Sequence, residues 1–361
     1  MRHLSAMRTA VVLFNLGGPD SLGAVRPFLF NLFRDPAIIG APTPVRQMIA
    51  ALISWRRAPV AREIYQHMGG RSPILPQTEA QADALAEALN GAAGEGENAV
   101  FIAMRYWHPF VEETIAEVEA YDPERIVLLP LYPQYSTTTT GSSLASWQRA
   151  AAGSKLATVP TTRLCCYPAQ AELVAAQAGL IETALATAGD EPSPRLLLSA
   201  HGLPKKIVEK GDPYQWQVEE NARAIVERLD RPELDWRVCY QSRVGPLEWI
   251  GPSTDSEIER AGKEGKAVVV APVAFVSEHS ETLVELDIEY RALAKKAGVP
   301  AYHRVPAVGT DERFINGLVA LVRDATASVG AGLVGGGAGG ARLCPGRHSA
   351  CALQNGGNGA A

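Results

Sequence analysis

The segment FVSEHSETLVELDIEY, residues 275–290, holds five carboxylates (Glu278, Glu281, Glu285, Asp287 and Glu289) and no Lys or Arg. Read as an α-helix at about 100° per residue, it puts Glu281, Glu285 and Glu289 in one stripe. Leu283, Leu286 and Tyr290 border the stripe on one side and Val284 and Ile288 on the other, with Asp287 apart. Acidic surface helices usually place bases one turn away, because like charges four residues apart repel by a few tenths of a kcal/mol (~0.2–0.5); here the first base is Arg291. Two readings follow: a solvated acidic face, or the wall of an interior polar channel that attracts divalent cations or passes protons. A second reactive group is His201 in SAHGLP, directly after the apolar run RLLLS. A lone histidine is commonly structural. One at the carboxyl end of a strand, between small residues that leave its ring accessible, is placed to accept or carry a proton. No G-x-S-x-G elbow accompanies it, which argues against a serine hydrolase.

Other segments are less specific. NLGGPD lacks both G-K-[ST] and the G-x-G-x-x-G spacing, so nucleotide binding is a weak reading. The stretch LFNLFRDPAIIGAPTPVRQMIAALISWRRAP, residues 29–59, is apolar and ends near Arg56 and Arg57. It suits either a core helix or an exposed lip that touches a membrane or a greasy substrate. Of five cysteines, Cys165 and Cys166 are adjacent, Cys344 and Cys351 form C-x6-C near the end, and Cys239 stands alone. Cysteines in a Gly/Ala-rich tail are not core residues by default, so a metal or iron–sulfur clamp is a hypothesis for them.

The elements that must position these groups are strands alternating with helices. TAVVLFNL, AVFIAMRY, RIVLLPLYP, PRLLLSAH, WRVCYQS and KAVVVAPVAF read as strands buried on both faces. Helical patterns such as QTEAQADALAEALN and YQWQVEENARAIVERL lie between them. The alternation predicts βαβ units and doubly wound parallel sheets, whose ligands bind at the carboxyl ends of the strands. The 361 residues suffice for two such domains. The expected division is 1–160 with a returning helix at 305–328, a second domain at 161–304, and a Gly/Ala-rich tail at 329–361 that cannot fold alone. The net charge of −5 argues against nucleic acid as the main partner. No apolar run is long enough to span a bilayer, and an odd cysteine count fits a reducing cytoplasm.

Taken together, VVLFNLGGPDSLGAVRPFLFNLF, MGGRSPI, MRYWHPFVEETI, LYPQYSTTTTGSS, LLLSAHGLPKKIVEKGDPY, YQSRVGPLEWIGPSTD and FVSEHSETLVELDIEY resemble, in order, the ferrochelatases. These lyases insert ferrous iron into a porphyrin at the end of haem synthesis. The likeness covers roughly residues 8–325. It implies a chelatase-like α/β fold of two similar domains, each a parallel four-stranded sheet flanked by helices, with the active-site cleft between them. It assigns the catalytic histidine to His201 and its partner carboxylate to Glu281, the two groups that would meet the substrate Fe2+. Glu278, Glu285 and Glu289 would form the proton or metal path. Leu16, Tyr65, Ser72, Arg105, Tyr106 and Trp249 would bind the porphyrin, and residues 29–57 match the family's lip.

Some relatives that act on coproporphyrin carry Tyr where this chain has Leu16, so the resemblance implies protoporphyrin IX, with coproporphyrin III as the alternative. Some members carry a [2Fe-2S] cluster on one internal and three carboxyl-terminal cysteines. This tail has Leu353 where a third would stand, so a cluster here would need Cys165 and Cys166 as well as Cys344 and Cys351. The chemistry itself needs no cofactor, since Fe2+ is a substrate. The expected partners are protoporphyrin IX and ferrous iron. The expected place is the cytoplasm, with peripheral contact at the inner face of the cell membrane. The competing classes are a non-catalytic tetrapyrrole or metal carrier and a cobalt or nickel chelatase for another tetrapyrrole.

Overall fold

The computed structural model describes residues 7–91, 97–189, 193–243, 245–328, 332–337 and 340–354. In chain order the elements are β1 (Arg8–Asn15), α1 (Val25–Phe33), α2 (Thr43–Gln66), α3 (Ile74–Asn90), β2 (Glu97–Met104), α4 (Val111–Tyr121), β3 (Arg125–Pro130), α5 (Thr140–Ala151), β4 (Thr161–Leu164), α6 (Ala171–Ala188), β5 (Arg195–His201), α7 (Lys205–Glu209), α8 (Tyr214–Leu229), β6 (Trp236–Gln241), α9 (Thr254–Lys263), β7 (Val268–Pro272), a π-helix (Glu281–Glu289), α10 (Tyr290–Lys296), β8 (Tyr302–Arg304), α11 (Glu312–Ala327) and β9 (Leu333–Val334). They divide into two compact units: residues 1–167, 315–343 and 352–361 form the first, and 168–314 with 344–351 the second.

The first unit is built on a parallel sheet of order β2-β1-β3-β4-β9. Its inner strand β1 is buried along nearly its whole length, as expected of a strand covered on both faces. Where four strands are expected, this sheet has five among the described residues. Leu333 and Val334 pair with Arg163 and Leu164, so part of the Gly/Ala-rich tail is anchored as an edge strand. The expected break at residue 160 moves to 167 because β4 pairs with β3, Ile126 opposite Thr161. Sequence pattern cannot tell to which sheet a four-residue strand belongs.

The second unit has the expected four parallel strands, ordered β6-β5-β7-β8. Alternation along β5 sends Leu196, Leu198 and Ala200 toward α6 and α8, and Leu197 toward α9 and α10. Each such leucine, withdrawn from water, contributes about 2 kcal/mol, and the two-sided burial holds the carboxyl end of β5 in place. The tail segment 344–351 docks in this unit: the Ala350 N–H donates to the Gly211 carbonyl (3.1 Å), Gln217 Nε2 lies 3.0 Å from Cys344 Sγ, and the His348 and Trp216 rings lie 5.7 Å apart. Gly211 has φ +94°, and a side chain there would overlap Ser349.

Residues 29–59 resolve into α1 and α2 with a connection between them. Alpha-2 buries its small residues, Ala50, Ser54 and Ala58, and turns Met48 (73% exposed) and Trp55 (62%) outward, with Val45, Leu52 and Val60 also exposed. An ordinary core helix would do the reverse, so α2 carries an exposed apolar row. Among the described residues, no helix is long and apolar enough to cross a membrane.

Candidate active site

His201 is the last residue of β5, where a parallel sheet opens toward ligands. Its Nδ1 lies 2.5 Å from the carbonyl oxygen of Gly202. A carbonyl can only accept, so Nδ1 carries a proton, and in the neutral ring Nε2 is then the nitrogen with the free lone pair. Nε2 faces Glu281 Oε1 at 3.6 Å. The loop must be tight for this: a Cβ on Gly202 would lie 3.0 Å from the Gln241 carbonyl and 3.2 Å from the Trp249 ring. Trp249 flanks the imidazole, ring centres 6.4 Å apart. The other oxygen of Glu281, Oε2, is buried without a hydrogen-bond partner. An unpaired buried acceptor is unfavourable by itself, and it is a place where a proton or cation would be bound favourably.

The acidic segment is a π-helix rather than the expected α-helix. Its wider turn, closed by i→i+5 bonds, brings a residue four positions on just short of a full turn instead of just past it. The acids therefore still share a side. The Gln241 amide, at the end of β6, donates to the Glu281 carbonyl (2.9 Å), and that tie from another strand is invisible in local sequence. Glu285 accepts from Gln241 Nε2 (3.0 Å), Ser242 N–H (2.8 Å), Ser242 Oγ (2.5 Å) and the Tyr290 hydroxyl (3.1 Å). All four donors are neutral. Burial, and then the nearby Glu281 carboxylate, push the Glu285 carboxyl above its ordinary range, against the pull of the Ser242 and Gln241 donors. A cavity of about 450 Å³ opens beside Glu285, lined also by Arg243, Glu248, Trp249, Asp255 and Tyr290. Glu289 is exposed.

The bases absent from the segment come from elsewhere. Arg304, on β8, donates to Glu278 (2.8 Å) and lies 3.3 Å from Asp287, and Arg291 reaches Asp287 at 2.6 Å. Glu278 also accepts from the Ala307 N–H (3.0 Å). It is thus paired with an arginine, unlike Glu281 and Glu285. His279, between these acids in sequence, is packed edge-on against Phe275, and burial holds its imidazole below the usual value despite Glu281 and Glu278.

The first unit gathers the remaining predicted residues. Leu16, Tyr65 and Tyr106 lie in one apolar cluster with Val25, Phe28, Leu29 and Ala58 of α1 and α2. Tyr106 is only 1% exposed and its hydroxyl donates to Asp35, so its ring packs in the interior instead of lining open space. Ser72 and Tyr65 are buried as well. Ser72 is set by NLGGPD: its N–H donates to the Pro19 carbonyl (2.8 Å), and a Cβ on Gly18 would overlap its side chain. The Arg105 guanidinium is held by Asp35 and Ser142. Sequence reasoning did not find Gln241, Ser242, Tyr290, Arg304 or Asp35. The first two lie in YQSRVGPLEW at the carboxyl end of a strand, and that position was the available signal; Asp35 had none.

All five cysteines are buried thiols outside any disulfide. Cys165 and Cys166 pack in the first unit's core, while Cys344 and Cys351 belong to the second unit. Neither unit alone supplies the four thiolates of a [2Fe-2S] cluster. Among the described residues, no group of three or more His, Cys, Asp and Glu side chains is arranged to hold a metal ion. Burial pushes the Cys239 thiol up to about 12, which leaves it inert.

Two parallel sheets flanked by helices, with ionisable side chains at strand carboxyl ends, define a chelatase-type α/β protein. SirB from Bacillus subtilis, solved with Fe3+, shares the fold with a TM-score of 0.52 at 12% identity, over 89% of this chain and 96% of that one. The ferrochelatase family model matches residues 8–326. The chain is 56% identical over 353 residues to the ferrochelatase of Phenylobacterium zucineum, spanning 97% of this chain and 99% of the relative. It is 57% identical over 317 residues to that of Caulobacter vibrioides, spanning 88% and 90%. The chain belongs to the ferrochelatase family, a family of lyases.

Proposed function

We propose that this protein inserts Fe2+ into protoporphyrin IX, releasing the two pyrrole N–H protons. The observation that carries the reading is the His201–Glu281 pair, with Nδ1 of the imidazole committed to the Gly202 carbonyl and Nε2 left as the acceptor. His201 Nε2 takes the two pyrrole protons in turn as general base, the first passing on to the Glu281 carboxylate before the second is taken. The imidazolium so formed lies 3.6 Å from the Glu281 carboxylate, which stabilises it. Glu281 Oε2 is the open oxygen for the incoming metal or the outgoing proton, and Fe2+ accepts imidazole and carboxylate ligands. Glu285 follows four residues on, held by neutral donors, and can change protonation without breaking an ion pair. Glu278, paired with Arg304, supports the wall of the path more than the traffic through it. A carrier would have no use for a proton acceptor.

His201→Ala removes the base and should lower iron insertion at least a hundredfold (~10², the low end for general base catalysis), while porphyrin still quenches tryptophan fluorescence. Normal turnover would refute the assignment. Assays with protoporphyrin IX and coproporphyrin III side by side decide the substrate, and Leu16 favours the first. The exposed apolar row of α2, with Arg46, Arg56, Arg57 and Arg62 on the same helix, suits peripheral contact with anionic lipid; co-sedimentation with phosphatidylglycerol vesicles tests it. The cysteines do not fit a [2Fe-2S] cluster within one unit, since Cys165 and Cys166 belong to the first and Cys344 and Cys351 to the second. Iron and acid-labile sulfide in the purified protein decide that point, and no step of the chemistry above depends on it.

A further inference from the structure

In the first unit, Asp35 stands just after α1, in the connection that leads to α2, and is 3% exposed. One carboxylate oxygen, Oδ2, accepts from Arg105 Nη2 (2.8 Å), the Tyr106 hydroxyl (2.8 Å) and Ser142 Oγ (2.5 Å). The other, Oδ1, accepts from the Ala37 N–H (2.9 Å). Ser142 Oγ in turn accepts from Arg105 Nε (2.7 Å). The guanidinium is therefore gripped at two of its three nitrogens, with its carbon 5.0 Å from the centre of the Tyr106 ring. Arg105 keeps 16% of its side chain exposed, while Asp35 and Tyr106 are almost fully enclosed.

We propose that Asp35 is a positioning residue for porphyrin binding: it compensates the charge of Arg105 and fixes the direction of its remaining N–H groups. This rests on the reading of Arg105 as a porphyrin-binding residue. A rigid fork orients a planar ligand at little entropic expense, whereas an untethered arginine would have to be ordered each time. The carboxylate is specifically needed. A carboxamide has one acceptor oxygen and a donor nitrogen, so Asn at this position would turn an N–H toward either Ala37 N–H or the Arg105, Tyr106 and Ser142 donors.

The test uses the full chain, wild type beside Asp35→Asn and Ser142→Ala. Protoporphyrin IX affinity is read by tryptophan quenching, and KM is measured separately for porphyrin and for Fe2+. Asp35→Asn should raise the porphyrin Kd and KM about tenfold and Ser142→Ala about threefold, as for lost hydrogen bonds to a charged group and a neutral one. KM for Fe2+ should stay unchanged. In an Arg105→Met background, Asp35→Asn should add nothing further. Unchanged porphyrin affinity in either folded variant overturns the role. So does an equal rise of both KM values, the mark of general loosening, or a full additional loss in the Arg105→Met background. Should Asp35→Asn fail to fold, Ser142→Ala decides alone. Wild-type protein that binds no porphyrin would overturn the function proposed above and this role with it; porphyrin bound normally by the variants overturns this role only.

Discussion

Asp35 in the first unit and Glu285 in the second are both carboxylates withdrawn from water and surrounded by donors, yet they are partnered in opposite ways. Asp35 has a guanidinium on it, with Tyr106 and Ser142 completing the shell. Glu285 has four neutral donors and, among the described residues, no ion-paired cation, with Glu281 one turn away. A carboxylate bound to arginine is a fixed strut, because protonating it would strand the buried cation. A carboxylate held by neutral donors beside another acid carries a charge nothing compensates, so a metal ion or proton can bind there without displacing a salt bridge. The same split appears within residues 275–290: Glu278 and Asp287 share Arg304, while Glu281 and Glu285 do not.

The contrast can be broken most forcefully at Arg304. Arg304→Met leaves Glu278 and Asp287 without the cation between them and should lower stability by about 3 kcal/mol, as for one partner removed from a buried pair, seen in urea unfolding. A change below about 1 kcal/mol would mean that the struts are ordinary surface pairs. Glu285→Gln comes next. It keeps the shape and removes the charge, though its amide turns an N–H toward the Gln241 or Ser242 donors, and it should slow iron insertion about tenfold while leaving porphyrin affinity alone. It should also alter the pH dependence of stability. The Glu285 carboxyl is raised above its ordinary 4.5 on folding, so its contribution is whole below that pH and is lost as pH rises through the folded value. Gln has no such loss, and the melting temperature of the variant relative to wild type should therefore climb from about pH 4.5 upward. A constant difference across pH would count against an uncompensated Glu285.

Asp287→Asn is the smallest effect and has the opposite sign of pH dependence. Burial alone would raise the Asp287 carboxyl, but Arg291 and Arg304 hold it below its ordinary 3.8. Its contribution is present above that pH and is lost as pH falls through the folded value. Because the group is partly exposed, the variant should lose only about 0.5 kcal/mol at neutral pH, and the difference should vanish in acid. Thermal melts of both variants across one pH series test the two slopes together.

What the sequence alone determined was the alternation of strands and helices, the family, and the presence of His201 and the acids at strand carboxyl ends. These follow from local periodicity and from motifs quoted whole, which survive without knowledge of long-range contacts. The folded structure decided which acids are paired. Arg304 lies fifteen or more residues beyond its partners and reaches them only because β8 joins the sheet beside β7. It decided that residues 281–289 wind as a π-helix, tied by Gln241 from another strand. It turned the apolar row of α2 outward, since the small residues of that helix were the ones that fitted inside. It gave the tail a strand, and it made Asp35, one acid among 39 acidic residues, the support of Arg105. Composition and spacing carry which groups a chain owns; whether a charge is compensated depends on distances between residues far apart in sequence, and only folding sets those.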